Sequence, residues 1–352
     1  MTRLETTQSP KRQRLLIGII IVVVLIGVIF VASDWEDFRK VLSEADWRMI
    51  LPALAFTAIS YICVGYSYAI VAQLLDIRMN RRDLTEIGFV TVILNHIITT
   101  GGVAGFSVRY LLMEPFGVRM REVLSSSLLH FYLTSMVMIV ILPVNFIYLL
   151  NHATLPKGIA ILIGIATVIV VVISIIGALL LFVTTIRAPV LNFIGNTANK
   201  LFRREIQERF DQFNETLDQS SAALRAKPLI LLAIVFIVII EWGAAVIALG
   251  FCFNALGPVP SIGVLITGFV IGLIAGVLSM VPGGFGVQEA SMAGIYALLG
   301  VPFGQALLAA ILFRGVYYLV PYGFSLIFYG RLLRRGSKTK EKSSPQEDSI
   351  TI

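Results

Sequence analysis

Charged residues and cysteines are scarce in this chain of 352 residues. Lys and Arg contribute 28 residues and Asp and Glu 21, together 14% of the sequence, whereas 57% is hydrophobic. Soluble domains carry about 25% charged residues, so this composition excludes an ordinary soluble protein, and the apolar content excludes disorder over most of the length. The two cysteines, Cys63 and Cys252, lie in apolar segments and predict no disulfide framework.

Histidine is as sparse as cysteine. The three histidines are scattered and make no metal-ligand pattern with the cysteines, so we expect no metal site and no cofactor. The sequence contains no Walker loop, no complete dinucleotide fingerprint and no zinc-protease motif. The net charge of +7 comes from bases that flank apolar runs, which argues against a nucleic-acid partner.

Long apolar runs dominate what is present. Helices that cross a bilayer need about 20 residues, and runs of that length begin near Leu15, Met49, Glu122, Gly158, Pro228, Ile262 and Pro302. The run at 15–32 exceeds a signal-peptide core of about 7–15 residues and is expected to be an uncleaved span. Two shorter runs, 84–98 and 288–299, each adjoin a glycine-rich break. The sequence therefore predicts an all-α integral membrane protein, a polytopic helical bundle with two re-entrant or broken helices.

Lys and Arg cluster at the ends of these runs, and such clusters mark cytoplasmic segments. The basic segments are 1–14, 78–82, 119–121, 187–227 and the stretch that starts at 331. We therefore expect a multi-pass protein of the cell membrane with both termini in the cytoplasm. The predicted division is a cytoplasmic N-terminus (1–14), a membrane domain (15–335) and a disordered cytoplasmic tail (336–352) without periodicity.

A polar segment, 187–227, interrupts the membrane domain. Its apolar residues recur on one helical face, at Phe202, Ile206, Phe210, Phe213, Leu217 and Leu224. This pattern predicts an amphipathic cytoplasmic connector that lies on the membrane surface or packs on the bundle. Docking of a partner is the alternative interpretation.

The two glycine-rich breaks belong to related segments. The first contains Gly101, Gly102 and Gly105, and the second contains Pro282, Gly283, Gly284 and Gly286. Each break precedes a short helix, a Gly-Val turn and a full-length span, and the copies then align without gaps, with Leu124 against Leu307. The basic segments alternate correctly only if the first hairpin enters from the cytoplasm and the second from outside. Entry of the two hairpins from opposite sides predicts an inverted-topology repeat. The glycines have a second interpretation, because glycine permits positive φ and close helix contact whatever the function.

Charged residues inside apolar runs are candidate site residues, because an ion at mid-membrane costs at least about 2.5 kcal/mol. Glu289 follows the second break in the first turn of a helix, where free N–H groups favour a carboxylate. The next span runs antiparallel to that helix, so Glu289 and Arg314 fall at matched depth and are expected to pair. Glu289 has a bracing role, a direct role in handling substrate, or both.

Arg109 and Glu241 are the other two candidates. Arg109 follows the first break and could bind a phosphate as a planar fork of donors; the alternatives are reaching to the interface or pairing with Glu114. Glu241 lies near the middle of its apolar run. It is either a protonated, hydrogen-bonded group or a working proton or ion site.

These motifs carry a resemblance to a known family. The segment Val281-Pro282-Gly283-Gly284-Phe285-Gly286-Val287-Gln288-Glu289, with Gly300-Val301-Pro302 and Leu312-Phe313-Arg314-Gly315-Val316-Tyr317-Tyr318, resembles the transmembrane flippase-like domain of the lysylphosphatidylglycerol synthase family. The block from Gly101 to Arg109, followed by Gly117-Val118, is similar to that family's other glycine-rich re-entrant motif. The likeness covers roughly residues 15–335.

The resemblance implies a membrane domain with re-entrant helices that moves a lipid between leaflets, in the best-known members an aminoacylated phosphatidylglycerol. It also implies that Arg109, Glu289 and Arg314 match positions where the family keeps polar groups at its cavity. Only a short polar tail follows the last span, so the soluble aminoacyl-transfer domain of the bifunctional members, and with it lipid synthesis, is not expected here.

The leading hypothesis is a lipid translocator, not an enzyme, whose partners are membrane lipids with anionic or phosphate-bearing headgroups; a homo-oligomer is left open. One alternative is a carrier of a small polar solute, whose site should be enclosed, whereas a lipid cavity should open sideways between helices. Another is a membrane-embedded enzyme or accessory factor of lipid or cell-envelope biosynthesis. That activity would need a cluster of acids, histidines or a metal site at one interface.

Overall fold

The computed structural model describes residues 35–97, 103–152, 157–183, 225–279 and 281–343, together with positions 185, 187, 189, 190 and 222. All regular elements within these ranges are helices. Four described helices are long and apolar enough to cross a membrane: Trp47–Leu74, Met120–Asn151, Pro228–Leu256 and Phe303–Ser337. The prediction of an all-α membrane protein is confirmed.

The helices are numbered in chain order within the described ranges. They are α1 (Trp35–Ser43), α2 (Ile50–Leu74), α3 (Arg81–Ile97), α4 (Val103–Met113), α5 (Met120–His152), α6 (Lys157–Phe182), α7 (Pro228–Leu256), α8 (Ile262–Leu278), α9 (Val287–Leu298), α10 (Phe303–Arg314) and α11 (Val320–Ser343). A π-helical segment, Gly315–Leu319, joins α10 to α11. The predictions for residues 1–14, the first span, Gly101, Gly102, most of the 187–227 connector and residues 344–352 lie outside the described residues.

Helices α2 and α7 form the centre of the bundle and pack antiparallel. The Asp46 N–H donates to the Ala255 carbonyl at 2.8 Å, which fixes the start of α2 beside the end of α7. Buried alanines, among them Ala53, Ala245 and Ala248, belong to the core cluster that these helices share. Small residues allow close approach of helix backbones, which is how helices associate where the surrounding lipid is as apolar as their side chains.

The loops lie at the two ends of the bundle. At one end, Arg331 pairs with Glu86 and Gly336 lies against Pro115, so the described base-rich segments 78–86, 114–121 and 331–336 are neighbours. At the other end, the Gln305 side chain donates to the Pro258 carbonyl at 2.9 Å. The loops there carry few bases. The structure thus brings together the three described base-rich segments of the five that the sequence assigns to one side of the membrane.

Two helical hairpins, α3–α4 and α8–α9, project from these opposite ends. The first begins at Arg81 and ends at Met113 at the base-rich end, and the second begins at Ile262 and ends at Leu298 at the other end. The longer arms have 17 residues each, roughly 26 Å at about 1.5 Å per residue, which is less than about 30 Å of hydrocarbon. The apolar run that begins near Ile262 is therefore shorter as a helix than the full span predicted for it.

The last helix corrects the predicted tail boundary. Helix α11 continues to Ser343, so residues 337–343 are helical although the sequence predicts disorder from Gly336 onwards. Two ion pairs dock its C-terminal half on α3: Arg331 with Glu86, and Arg335 with Asp83 at 2.5 Å. Composition alone does not reveal these tertiary contacts, which hold the helix well past the apolar span.

Candidate functional site

The second break is shaped by three glycines in left-handed backbone conformations. Gly283, Gly284 and Gly286 have φ values of 64°, 61° and 80°, a region that other residues rarely adopt. A Cβ atom on Gly284 would lie 3.1 Å from the Cα of Gly276 on α8. The break therefore needs glycine both for its backbone conformation and for its close contact with the preceding helix.

Glu289 and Arg314 form an ion pair across this break, and both are buried, at 8% and 6% exposure. Glu289 is at the third position of α9, and its Oε2 accepts the Gly286 N–H at 2.8 Å, which caps the helix. The pairing that the sequence predicts from matched depth is confirmed. The carboxylate neutralises the arginine and closes the break at the same time.

Arg314 ties three elements together. It donates from Nη1 to the Gly283 carbonyl at 2.6 Å and from Nη2 to Gln288 Oε1 at 3.1 Å. Its guanidinium lies over the rings of Phe285 and Tyr318, 4.6 and 4.8 Å from the ring centroids. Gln288 also donates to the Tyr318 hydroxyl at 3.2 Å. The arginine thus links the break, α9 and the π-helical segment, and π-helical segments are often found at functional sites.

Arg109 occupies a different kind of environment in the first hairpin. Its Nε and Nη2 donate to Thr91 Oγ1 at 3.2 and 2.7 Å, and its Nη1 donates to Ser127 Oγ at 3.0 Å. The guanidinium carbon lies 3.8 Å from the centroid of the Tyr68 ring. The side chain is 4% exposed, and its hydrogen bonds go to Thr91 and Ser127 rather than to Glu114. The described contacts therefore favour neither structural alternative that the sequence offers for Arg109.

The first break is anchored by an asparagine that the sequence analysis missed. Asn95, near the end of α3, accepts the Gly105 N–H through Oδ1 at 2.8 Å. A Cβ atom on Gly105 would lie 2.4 Å from the same side-chain amide. A side chain at position 105 would therefore displace the Asn95 amide from this hydrogen bond. The only sequence signal for Asn95 is its polarity at the end of an apolar run, directly before a glycine-rich break.

Glu241 lies apart from both breaks, on the face of α7 that packs on α2. Because α2 and α7 are paired at Asp46 and Ala255, Glu241, fourteen residues before Ala255, lies about 21 Å from that end, level with Ser60 and Tyr61. The residue is 8% exposed, and its Oε2 has no hydrogen-bond partner among the described residues. The sequence leaves open a hydrogen-bonded structural role for Glu241, and among the described residues no hydrogen bond to this oxygen is observed.

The first hairpin meets the π-helical segment at a cluster of aromatic and hydroxyl groups in the bundle centre. His96, at the end of α3, lies 5.1 Å from Tyr318, ring centroid to ring centroid. The Tyr61 hydroxyl is 3.4 Å from His96 Nδ1 and donates to the Tyr317 carbonyl at 2.9 Å. The Tyr317 hydroxyl pairs with Ser60 at 2.7 Å. His96, which forms no pattern in the sequence, thus connects the end of α3 to the segment that follows Arg314.

An apolar groove of about 630 Å³ lies between α5, α7 and α8. Its walls include Val140, Val144, Ile239 and Ile262, whose exposed fractions range from 49% to 63% within the described part of the chain. Asn145 at its floor is buried and donates to Thr267 Oγ1 at 2.7 Å and to the Gly263 carbonyl at 3.1 Å. The groove is apolar along its walls, which are exposed surfaces of three described helices.

Comparison with known proteins assigns this architecture to a family. The family described as lysylphosphatidylglycerol synthase TM region matches residues 15–324, which is 310 of the 352 residues. The chain belongs to this family. The match includes both breaks and all four charged candidate residues.

Individual relatives match the chain over shorter stretches. The chain is 36% identical over 88 residues to the phosphatidylglycerol lysyltransferase of Staphylococcus aureus strain COL, a stretch that covers 25% of this chain and 10% of that protein. It is 28% identical over 160 residues to a UPF0104 membrane protein of Methanothermobacter thermautotrophicus, covering 41% of this chain and 48% of that protein. The matched stretch therefore spans a tenth of the lysyltransferase and about half of the archaeal protein.

The structure brings some of the predicted site residues together and separates others. Glu289 and Arg314 join the glycines of the second break in one cluster, whereas Arg109 and Gly105 belong to the first hairpin and Glu241 to the interface of α2 and α7. The side chains that the sequence analysis missed are Thr91, Asn95, His96, Ser127 and Gln288. They are short or neutral polar residues within apolar helices, and only their contacts distinguish them from hydroxyls and amides that bond to their own helix.

Proposed function

We propose that this protein moves lipids with a polar headgroup between the leaflets of the cell membrane, without enzymatic activity of its own. The apolar groove between α5, α7 and α8 carries this proposal, because acyl chains need an apolar surface that is open to the surrounding lipid. A headgroup needs polar groups within the same bundle, and the two hairpin breaks supply them. A small polar solute, in contrast, would be served by an enclosed polar site.

The hairpin geometry supports a second part of the proposal, namely that both hairpins are re-entrant and form an inverted-topology repeat. Each hairpin begins and ends at its own end of the bundle, and α3 of the first hairpin contacts the Pro282–Gly284 break of the second. Broken helices that meet near the midplane place polar backbone and side chains where a substrate must pass. The base-rich end would be cytoplasmic, with both chain termini on that side.

Translocation would be measured in proteoliposomes that contain fluorescent phospholipids, by quenching of the outer leaflet. We expect the wild type to accelerate exchange. Val144→Trp fills the groove and should slow exchange at least about tenfold, which corresponds to about 1.4 kcal/mol in the barrier. Ile147→Trp is the matched control, because Ile147 is similarly exposed on α5 but does not line the groove. Equal effects of the two substitutions, or no exchange by the wild type across a lipid panel, would count against a lipid translocator.

Glu241 is proposed to act in transport rather than in bracing. Since its Oε2 has no described partner to lose, Glu241→Gln should not lower the free energy of unfolding. The same substitution should lower the exchange rate in proteoliposomes. Unchanged exchange with unchanged stability would remove Glu241 from the transport site.

A further inference from the structure

Arg109 is a buried cation without a counter-charge among the residues that the structure describes. Its side chain contacts Thr91, Ser127 and the ring of Tyr68, all of which are neutral. None of the ion pairs between described residues includes it. An arginine keeps its charge even when buried, and a buried charge without a partner is strongly destabilising. Among the described residues, no acid matches the positive charge at this position.

The second half of the chain contains a buried arginine that has a counter-charge. There, Arg314 is neutralised by Glu289. When the gap-free alignment of the two halves is continued, the first-half position that corresponds to Arg314 is Phe131, an apolar residue that is 71% exposed. Glu289 and Arg109 occupy similar places after their breaks, so the described part of the first half has a buried charge without a partner like the one in the second half.

We propose that Arg109 binds a phosphate group that comes from outside the chain, namely the phosphate of a lipid headgroup. This inference rests on the proposed lipid translocation and identifies the group on the lipid that is recognised. The guanidinium has five N–H donors, and the three hydrogen bonds to Thr91 and Ser127 leave two for an incoming anion. Planar pairs of N–H groups bind phosphate oxygens in a bidentate manner.

Access to this arginine is on the side of Ser127. Tyr68 covers one face of the guanidinium, and Thr91 is fully buried, whereas Ser127 is only partly buried. The Ser127 hydroxyl accepts from Arg109 at 3.0 Å and so marks the side of the guanidinium from which an anion would enter. The titratable neighbours of this pocket are Tyr68 and His130, whose rings are 5.5 Å apart, and neither is an acid that would repel an anion.

The depth of Arg109 favours a lipid over free phosphate as the source. Arg109 lies eight residues before the turn at Gly117, about 12 Å along the helix from the base-rich end. The apolar groove begins at Met136, nine residues beyond Ser127 on α5, or about 14 Å deeper. The phosphate pocket is thus nearer to the membrane surface than the groove, the same order as the headgroup and tails of a phospholipid.

Ser127→Asp provides the sharpest test because it would supply the missing counter-charge within the chain. A carboxylate at this position would pair with Arg109 as Glu289 pairs with Arg314, and would exclude an external anion while preserving the buried arginine. Ser127→Ala is the matched control, since it removes one hydrogen bond and adds no charge. Arg109→Gln removes the cation itself, and circular dichroism and size-exclusion chromatography would report whether this variant folds.

Binding would be measured on the purified full chain in detergent, by the rise in melting temperature on titration with a short-chain phosphatidic acid. Short-chain diacylglycerol, which lacks the phosphate, and inorganic phosphate are the comparison probes. We expect stabilisation by phosphatidic acid alone, at least about tenfold weaker binding for Ser127→Asp and Arg109→Gln, and a change below about threefold for Ser127→Ala. Wild-type affinity in Ser127→Asp, or equal stabilisation by diacylglycerol, would overturn the phosphate site. Equal stabilisation by inorganic phosphate at the same concentrations would overturn the lipid as its source.

This measurement involves no translocation, so the two proposals fail separately. Phosphatidic acid binding that depends on Arg109, without lipid exchange by the wild type in proteoliposomes, would retain the phosphate site and reject the translocator. Lipid exchange by the wild type with identical binding in Ser127→Asp would retain the translocator and reject the site.

Discussion

Glu289 and Arg314 form a buried ion pair in which each partner also satisfies the backbone of the same glycine-rich break. Glu289 accepts the Gly286 N–H, and Arg314 donates to the Gly283 carbonyl. The pair therefore has a fixed direction: the acid faces N–H groups at the start of α9, and the base faces a carbonyl. An equivalent pair with the charges exchanged would meet the opposite backbone groups.

This direction predicts that exchanging the two charges does not rescue the protein. Glu289→Gln leaves Arg314 buried and unmatched, which should lower the free energy of unfolding by about 3–5 kcal/mol. The double variant Glu289→Arg with Arg314→Glu should be no more stable than the single one, because the arginine would face N–H groups and the glutamate a carbonyl. Thermal unfolding in detergent measures both. Restoration of wild-type stability by the exchange would show that the backbone contacts are unimportant.

The glycines of the second break predict an asymmetry between two similar substitutions. Gly284→Ala places a Cβ at φ 61° and 3.1 Å from Gly276, and should destabilise the protein by about 1–3 kcal/mol. Gly294→Ala, inside α9 with no atom within 4 Å of the added Cβ, should instead stabilise it by about 0.5–1 kcal/mol. Melting temperatures of the two variants decide this, and a stable Gly284→Ala variant would contradict the observed backbone of the break.

The docking of α11 on α3 predicts a specific dependence on Arg331. Glu86 is 7% exposed, so Arg331→Ala would leave it, among the described residues, with the exposed Arg82 as its one basic partner and should cost about 1–3 kcal/mol. Arg334→Ala, on an exposed position of the same helix, should be nearly neutral. Limited proteolysis of residues 331–343 should accelerate in the first variant only. Equal protection in both would mean that the pair does not hold the helix end.

If the two hairpins enter from opposite sides of the membrane, two single cysteines placed beside them should be labelled from opposite sides. In a background with Cys63 and Cys252 replaced by alanine, Arg121→Cys should react with a membrane-impermeant maleimide only from the cytoplasmic side. Ser261→Cys, at the exposed start of α8, should react from outside. Labelling of both cysteines from one side would refute the inverted repeat.

Several parts of this architecture follow from the sequence because their signals are local. Composition determines the helical membrane class, and the glycines mark the second break because its backbone adopts positive φ. The pairing of Glu289 with Arg314 follows from counting residues on either side of a tight turn. Such a count works because two helices joined by a short turn must lie antiparallel, and a buried charge requires a partner at its own depth.

Other parts were decided only by the tertiary structure. Helices such as α2 and α7 are apolar on all sides, so their sequences carry no stripe that indicates which face meets which neighbour. The pairing of these faces brings Tyr61 to His96, leaves a groove beside α5, and surrounds Arg109 with hydroxyls that look like ordinary helix residues in the sequence. The extent of α11 likewise depends on acids of α3 that are some 250 residues away in the chain. In a solvent as apolar as the side chains, small residues and a few polar contacts select the arrangement, and the sequence shows those residues without showing their partners.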